Sequence, residues 1–308
     1  MTRLLLATRG SQLALAQSGW FAKRVEEALG VAVELVVVKT SGDRLADVSL
    51  ATIGGKGLFV KEIEEALLDG RADFAVHSAK DLPAKIAPGL VLAAFPERAD
   101  ARDALVAREA GASLEGLPAG ARVGTGSARR TAQLRALRPD LEVVALRGNV
   151  TTRLERLRDG SFDAVLLACA GLDRLGLGER IHERVAAELL LPAVGQGVLA
   201  IEARAGESLA QDLGVLTHAP SARAIAAERT FLARLEGDCN VPLAAYAAPR
   251  DDGSLRVRGL IASTDGKRVA RAEASGEDAE RLGVAVADAV LAAGGDAILA
   301  ALRSEAGS

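Results

Sequence analysis

Apolar runs and polar turns alternate along the first two-thirds of the chain. Residues 4–7 read as a buried strand. The polar turn Thr8-Arg9-Gly10-Ser11 follows, with Ser11 placed to cap a helix running to Leu29. Residues 33–38 form a second apolar run. Gly54-Gly55-Lys56-Gly57 then leads into a helix in which Val60, Ile63 and Leu67 recur at helical spacing and Gly70 supplies the stop. Residues 74–77 predict a strand that runs into Ser78-Ala79-Lys80-Asp81 and Pro83, and residues 90–95 predict another. Pro96-Glu97-Arg98-Ala99-Asp100 reads as a boundary, after which the alternation resumes. Val123 precedes Gly124-Thr125-Gly126-Ser127 and a helix through Leu137; residues 143–146 precede Arg147-Gly148-Asn149 and a further helix; residues 164–168 are a buried strand, assigned together with Cys169. This alternation predicts parallel α/β sheets, with functional groups gathered where strands hand over to helices. Pro192-Ala193-Val194-Gly195-Gln196-Gly197 marks a second crossing before a strand at 198–202.

The pattern changes after about Thr217. A long amphipathic helix ends near Leu235, and strands are expected at 243–248, 255–263 and 268–274, followed by one or two closing helices. Asp252-Gly253 and Asp265-Gly266 are hairpin signals, so this unit is α+β with an antiparallel sheet. Between the helix and the first strand lies Leu235-Glu236-Gly237-Asp238-Cys239-Asn240-Val241-Pro242. Gly237 stops the helix and Pro242 opens the extended segment, which puts Cys239 at the tip of a short polar loop. Most free cysteines are buried small hydrophobes, and Cys169 reads that way; Cys239, between Asp and Asn, does not.

Composition narrows the function classes. A chain of 308 residues, 49% apolar, is long enough for two or three cored domains. A formal charge of -3 gives no global field toward nucleic acid or membrane, and one Trp, one Tyr and six Phe are too few for a base-stacking platform. Two cysteines make no disulfide framework, residues 1–7 are short for a signal peptide, and no run is expected to reach membrane length. A soluble, cytoplasmic protein is the expectation.

The junction turns carry Arg9, Lys56, Lys80, Arg129, Arg130, Arg147 and Arg153. Helix N-termini already favour anions, and arginine there does nothing for the helix itself. Each arginine alone reads as a solvated surface residue; the series at corresponding junctions of two lobes points to a polyanion. In Gly124-Thr125-Gly126-Ser127-Ala128-Arg129-Arg130 the glycines admit an anion to the backbone, the hydroxyls donate, and two guanidiniums can clamp carboxylates. No Walker or dinucleotide spacing is present, and His77, His182 and His218 lack ligand spacing, so no metal is expected. Asp81 alone reads as a turn former. Amid so many cations it is also the obvious carboxylate to stabilise a transient positive charge or move protons. A non-catalytic two-lobed anion binder and a nucleotide-dependent enzyme are the rival classes.

The ordered motifs resemble the porphobilinogen deaminase (hydroxymethylbilane synthase) family over essentially the whole chain. They are Ala7-Thr8-Arg9 with Ser11, Gly54-Gly55-Lys56-Gly57-Leu58-Phe59, His77-Ser78-Ala79-Lys80-Asp81-Leu82-Pro83, Arg129-Arg130, Arg147-Gly148-Asn149-Val150, Ala170-Gly171-Leu172, Leu191-Pro192-Ala193-Val194-Gly195-Gln196-Gly197, and Leu235-Glu236-Gly237 with Cys239. The resemblance implies a transferase that joins four porphobilinogens head to tail with loss of ammonia and releases the tetrapyrrole by hydrolysis. It implies a dipyrromethane cofactor on Cys239 through a thioether. Lys80, Ser127, Arg129, Arg130 and Arg153 would hold the cofactor; Arg9, Ser11, Arg147 and Arg174 the substrate and its carboxylate-rich oligomers; Asp81 would be catalytic; Lys56 and Phe59 would lie on a cleft loop. It further implies two periplasmic-binding-protein-like α/β lobes, 1–97 with 198–216 and 101–192, plus a smaller α+β domain, 219–308, carrying the cysteine loop. A monomer with no nucleic-acid or membrane partner is expected. Two departures stand out: Asp238 where many relatives have Gly, and Asn240 where Gln is frequent. A carboxylate beside the thiol should raise its pKa above ~8.5 and slow cofactor loading.

Overall fold

The computed structural model describes residues 3–40, 60–236 and 241–306. The chain forms two compact units, Met1–Ala99 with Gly197–Ala222, and Asp100–Gln196 with Arg223–Ser308.

In the first unit, strands β1 (Arg3–Thr8), β2 (Ala32–Val37), β3 (Phe74–Ser78), β4 (Leu90–Ala94) and β10 (Leu199–Arg204) form one sheet in the order β2-β1-β3-β10-β4. β1 runs parallel to β2 and β3, whereas β10 is antiparallel to both β3 and β4. Helix Gln12–Leu29 buries Phe21 and Val25 with Leu6, Phe74 and Ile201, and helix Lys61–Leu68 buries Ile63 and Leu67 in a separate cluster with Ala7, Ala75 and Leu90. His77 on β3 and Glu202 on β10 are buried together, with Nε2 3.0 Å from Oε2.

The second unit repeats the plan. β5 (Asp103–Ala107), β6 (Arg122–Thr125), β7 (Glu142–Ala145), β8 (Ala164–Ala168) and β9 (Glu183–Val185) assemble in the order β7-β6-β8-β5-β9. β6 is parallel to β7 and β8, and β5 is antiparallel to β8 and β9. The sheets are therefore mixed, not parallel as the alternation suggested. In each, the strand inserted antiparallel (β10, β5) arrives directly from the other unit's segment of chain. Without a crossover helix in the same sheet, nothing holds it to the parallel direction. β5 and β9 were not anticipated. β9 has three residues, and β5 is a short apolar run in which every residue is buried. Cys169 also moves: it opens helix Cys169–Arg174 instead of closing β8, and it is fully buried.

The same unit holds a three-stranded antiparallel sheet, β11 (Leu243–Pro249), β12 (Leu255–Ala262) and β13 (Val269–Gly276), in that order. By length and composition Ala279–Glu305 would pass for a membrane span, contrary to expectation. It is broken at Gly294, whose φ is 98°, and Leu282, Val286, Ala287, Val290, Ile298 and Leu299 are buried. One face of the apolar stretch thus joins the core of this unit.

Candidate active site

In the first unit, β1 ends in the Thr8–Ser11 turn. Ser11 has extended backbone (φ -70°, ψ 147°) and its hydroxyl accepts from the Ala14 amide at 3.3 Å, so it caps helix Gln12–Leu29 as expected. Thr8 is fully buried, and Ser18 Oγ donates to its hydroxyl at 2.7 Å. β3 runs into the one-turn 3-10 helix Ala79–Asp81. Ala79 is buried and its amide donates to Val198 O at 3.0 Å, which fixes the turn while leaving Lys80 half-buried and Asp81 exposed. Gln17 Nε2 donates to Ser78 Oγ at 3.1 Å, tying the capped helix to this turn. β1 and β3 are parallel neighbours, with Leu6 opposite Phe74, so Arg9 and Ser11 share one sheet edge with Lys80 and Asp81.

In the second unit, β6 leads through Ser127 into helix Ala128–Leu137, and the Ser127 hydroxyl accepts from the Arg130 amide at 3.4 Å. A Cβ on Gly126 would lie 2.7 Å from Leu146 O and 3.7 Å from Arg153 Nη2, so only glycine lets this turn meet its neighbour. That neighbour follows β7: Asn149 caps helix Val150–Arg158 by accepting from the Thr152 amide at 2.9 Å, and Arg153 Nε donates to Gly148 O at 2.8 Å. Arg147 is half-buried in the same turn. Arg174 ends the short helix after β8, and burial pulls its guanidinium down to about 10 against the raising effect of Asp173. Because β7, β6 and β8 are parallel, Ser127, Arg147, Arg153 and helix Cys169–Arg174 all follow strand ends on one edge of this sheet.

Arg129 and Arg130 are 5% exposed, not the solvated residues each alone would suggest. Both pair with Asp103, which is fully buried at the start of β5 opposite Ala168. Burial raises the Asp103 carboxyl, but the charges and hydrogen bonds of Arg129 and Arg130 outweigh it and hold the group far below the usual carboxylate range. Burial pushes Arg129 down, partly offset by Asp103. Two guanidiniums against one carboxylate leave a positive charge, and the buried Nε of Arg129 has no partner. With the helix N-terminus of Ala128–Leu137 alongside, this donor set fits a carboxylate-bearing group such as dipyrromethane.

Asp103, and Gln196 whose Nε2 donates to Asp103 Oδ1 at 2.9 Å, are not among the candidate residues that the sequence suggests. The available signal was an aspartate opening the apolar run Ala104-Leu105-Val106-Ala107, which demands a cationic partner. Cys239, Asp238, Asn240, Lys56 and Phe59 lie outside the described residues. Among the described residues no group of three or more His, Cys, Asp and Glu could hold a metal. Burial, then Asp100, pushes the Cys169 thiol up to about 12. Iodoacetamide at pH 8 should therefore leave Cys169 unmodified in the folded chain and label it only in denaturant; peptide mass mapping reads this, and labelling of the native chain would contradict the buried thiol.

The geometry defines an α/β protein with arginines gathered at helix starts and strand ends, a donor set suited to carboxylates. Comparison with known proteins makes this specific. The family signature "Porphobilinogen deaminase, dipyromethane cofactor binding domain" matches residues 4–212, and "Porphobilinogen deaminase, C-terminal domain" matches 222–292. A porphobilinogen deaminase of Sorangium cellulosum is 54% identical over 290 residues, 92% of this chain and 96% of the relative. One from Brevibacillus brevis is 46% identical over 99% of both chains. The chain belongs to the porphobilinogen deaminase family, enzymes of tetrapyrrole biosynthesis that act on porphobilinogen and carry a dipyrromethane cofactor. Among solved structures, a periplasmic VFT2 domain of Bordetella pertussis BvgS aligns with 69% of this chain and 85% of its own, at 18% identity and a TM-score of 0.40. An arginine-specific periplasmic binding protein of Salmonella typhimurium covers 72% and 94%, at 12% identity and a TM-score of 0.40.

Proposed function

We propose that the chain links four porphobilinogens head to tail, with loss of ammonia, onto a dipyrromethane attached to Cys239, and then releases hydroxymethylbilane by hydrolysis. The observation that carries this reading is the buried Asp103–Arg129–Arg130 cluster, whose uncancelled charge calls for a ligand carboxylate. When bound, dipyrromethane supplies a free pyrrole α-carbon as the nucleophile that starts the chain.

Each protein group has a separable task. Ser127, Arg129, Arg130 and Arg153, and separately Lys80, are assigned to the acetate and propionate groups of the cofactor. The capped turn after β6 favours those anions through its helix N-terminus as well as its side chains. Arg9, Ser11, Arg147 and Arg174 take the carboxylates of incoming porphobilinogen. Arg174, poorly solvated, gains more from a carboxylate than an exposed arginine would. Asp81, exposed on a rigid one-turn helix, accepts the pyrrole N–H and stabilises the cation left when the aminomethyl C–N bond breaks and ammonia departs. The same carboxylate takes the proton that the attacking α-carbon sheds.

The three sheets support three domains, 1–97 with 198–216, 101–192, and 219–308, the last carrying Cys239. A cytoplasmic monomer with no nucleic-acid or membrane partner is the state proposed; a chain with only two cysteines, too few for a disulfide framework, suits a reducing compartment. Incubation with porphobilinogen tests the reading. It predicts one ammonia released per pyrrole consumed and a linear tetrapyrrole product; porphobilinogen bound but unconsumed would favour a mere anion binder.

A further inference from the structure

We propose that Asp103 is a positioning residue: it sets the guanidinium planes of Arg129 and Arg130 before any ligand arrives, and the positive charge it leaves uncancelled selects one carboxylate of the bound oligopyrrole. This rests on the assignment of those arginines to the cofactor.

The carboxylate is a hub for groups remote in sequence. Asp103 Oδ1 accepts from Arg129 Nη2 at 3.0 Å, from Arg130 Nε at 3.0 Å and Nη2 at 2.7 Å, and from Gln196 Nε2 at 2.9 Å. Oδ2 accepts from Arg129 Nη1 at 2.8 Å. The outer ends are pinned as well: Arg129 Nη1 donates to Leu191 O at 2.7 Å, and Arg130 Nη1 donates to Leu166 O at 3.1 Å. A guanidinium is a planar fork, so two or more anchored nitrogens fix its orientation. Asp103 therefore removes the torsional freedom that each arginine would otherwise lose on binding.

Charge balance adds selectivity. An isolated carboxylate at this depth would be intolerable, and a single arginine would neutralise it. The second guanidinium overshoots, leaving a buried excess of one positive charge with Arg129 Nε unpartnered. One further anionic oxygen group cancels it, and a neutral substituent does not. Gln196 completes the hub by also donating to Ala101 O at 2.6 Å, which holds the start of β5 in register with the arginines.

The test uses full-length chain made without cofactor, loaded with porphobilinogen and followed by intact mass. Asp103→Glu keeps the charge and shifts the carboxylate by one methylene. It should load about 10²-fold more slowly, the scale set by a 1 Å misplacement of positioned groups. Its loaded fraction should keep the wild-type KM, since Arg9, Ser11 and Arg147 are untouched. Asp103→Asn keeps the shape, loses the charge, and should load more slowly still. A purely structural role would lower the melting temperature without changing the loading rate of folded molecules. Wild-type loading by folded Asp103→Glu and Asp103→Asn, with Arg130→Leu unable to load, would overturn the positioning role and spare the underlying assignment. Wild-type loading by Arg130→Leu would overturn the assignment itself. Should the Asp103 variants not fold, the wild type decides. Its Arg130 Nε–H must exchange slowly with solvent in both the cofactor-free and loaded chain; fast exchange before loading would overturn preorganisation.

Discussion

Cys239→Ser is expected to lose the covalent adduct and turnover together. The thiolate, not the thiol, attacks, and a serine hydroxyl holds its proton far more tightly at neutral pH. The alternative thiol gives no rescue, because Cys169 is fully buried and pushed up to about 12. With no tether, porphobilinogen has no bound chain to extend, so turnover should fall by several orders of magnitude, as when a nucleophile is removed elsewhere. The fold should be unaffected, since a hydroxyl for a thiol between Asp238 and Asn240 is a polar exchange in a polar segment. Intact mass and an ammonia-release assay on the same sample check both halves; an adduct on the variant would place the attachment elsewhere.

Asp81→Ala should separate the two functions that Cys239→Ser removes together. Asp81 is exposed at the end of the turn Ala79–Asp81, whose backbone is held by Ala79 and Leu82 contacts that do not involve the carboxylate. Stability should therefore change by less than about 0.5 kcal/mol. Most molecules should still carry the adduct, because attachment depends on the thiol and the arginine cluster. The chemical step should slow by about 10²–10⁴, the usual cost of losing a positioned proton-transfer or charge-stabilising group. Since the substrate's carboxylates are bound by other residues, the loss should appear in kcat more than in KM. A fully active Asp81→Ala would remove Asp81 from the chemistry.

Much of the fold was legible because local signals agreed with the tertiary outcome. Ser11, Ser127 and Asn149 cap helices where their side chains predict. Gly253 and Gly266, at φ 79° and 73°, turn the hairpins of the third sheet. Sheet direction was not legible, because β5 and β10 pair with strands far away in sequence and their own residues carry no sign of parallel or antiparallel partners. The site was readable as a list of cations and unreadable as an arrangement. Arg129 and Arg130 look alike beside solvent-facing arginines in sequence; only the pairing of β5 with β8 brings Asp103 to them. Likewise Ala279–Glu305 is apolar enough to mislead, and its break at Gly294 and the burial of one face appear only in three dimensions.

Central to the account is an acidic oligopyrrole held through one sulfur and neutralised by arginines. Intact-protein mass spectrometry of the purified chain, before and after brief exposure to porphobilinogen, tests this most directly. The expected result is no bare 31.7 kDa chain but a species heavier by one dipyrromethane, located on Cys239, that gains further pyrrole units in discrete steps on exposure. A chain of unmodified mass that stays unmodified while porphobilinogen is consumed would contradict it.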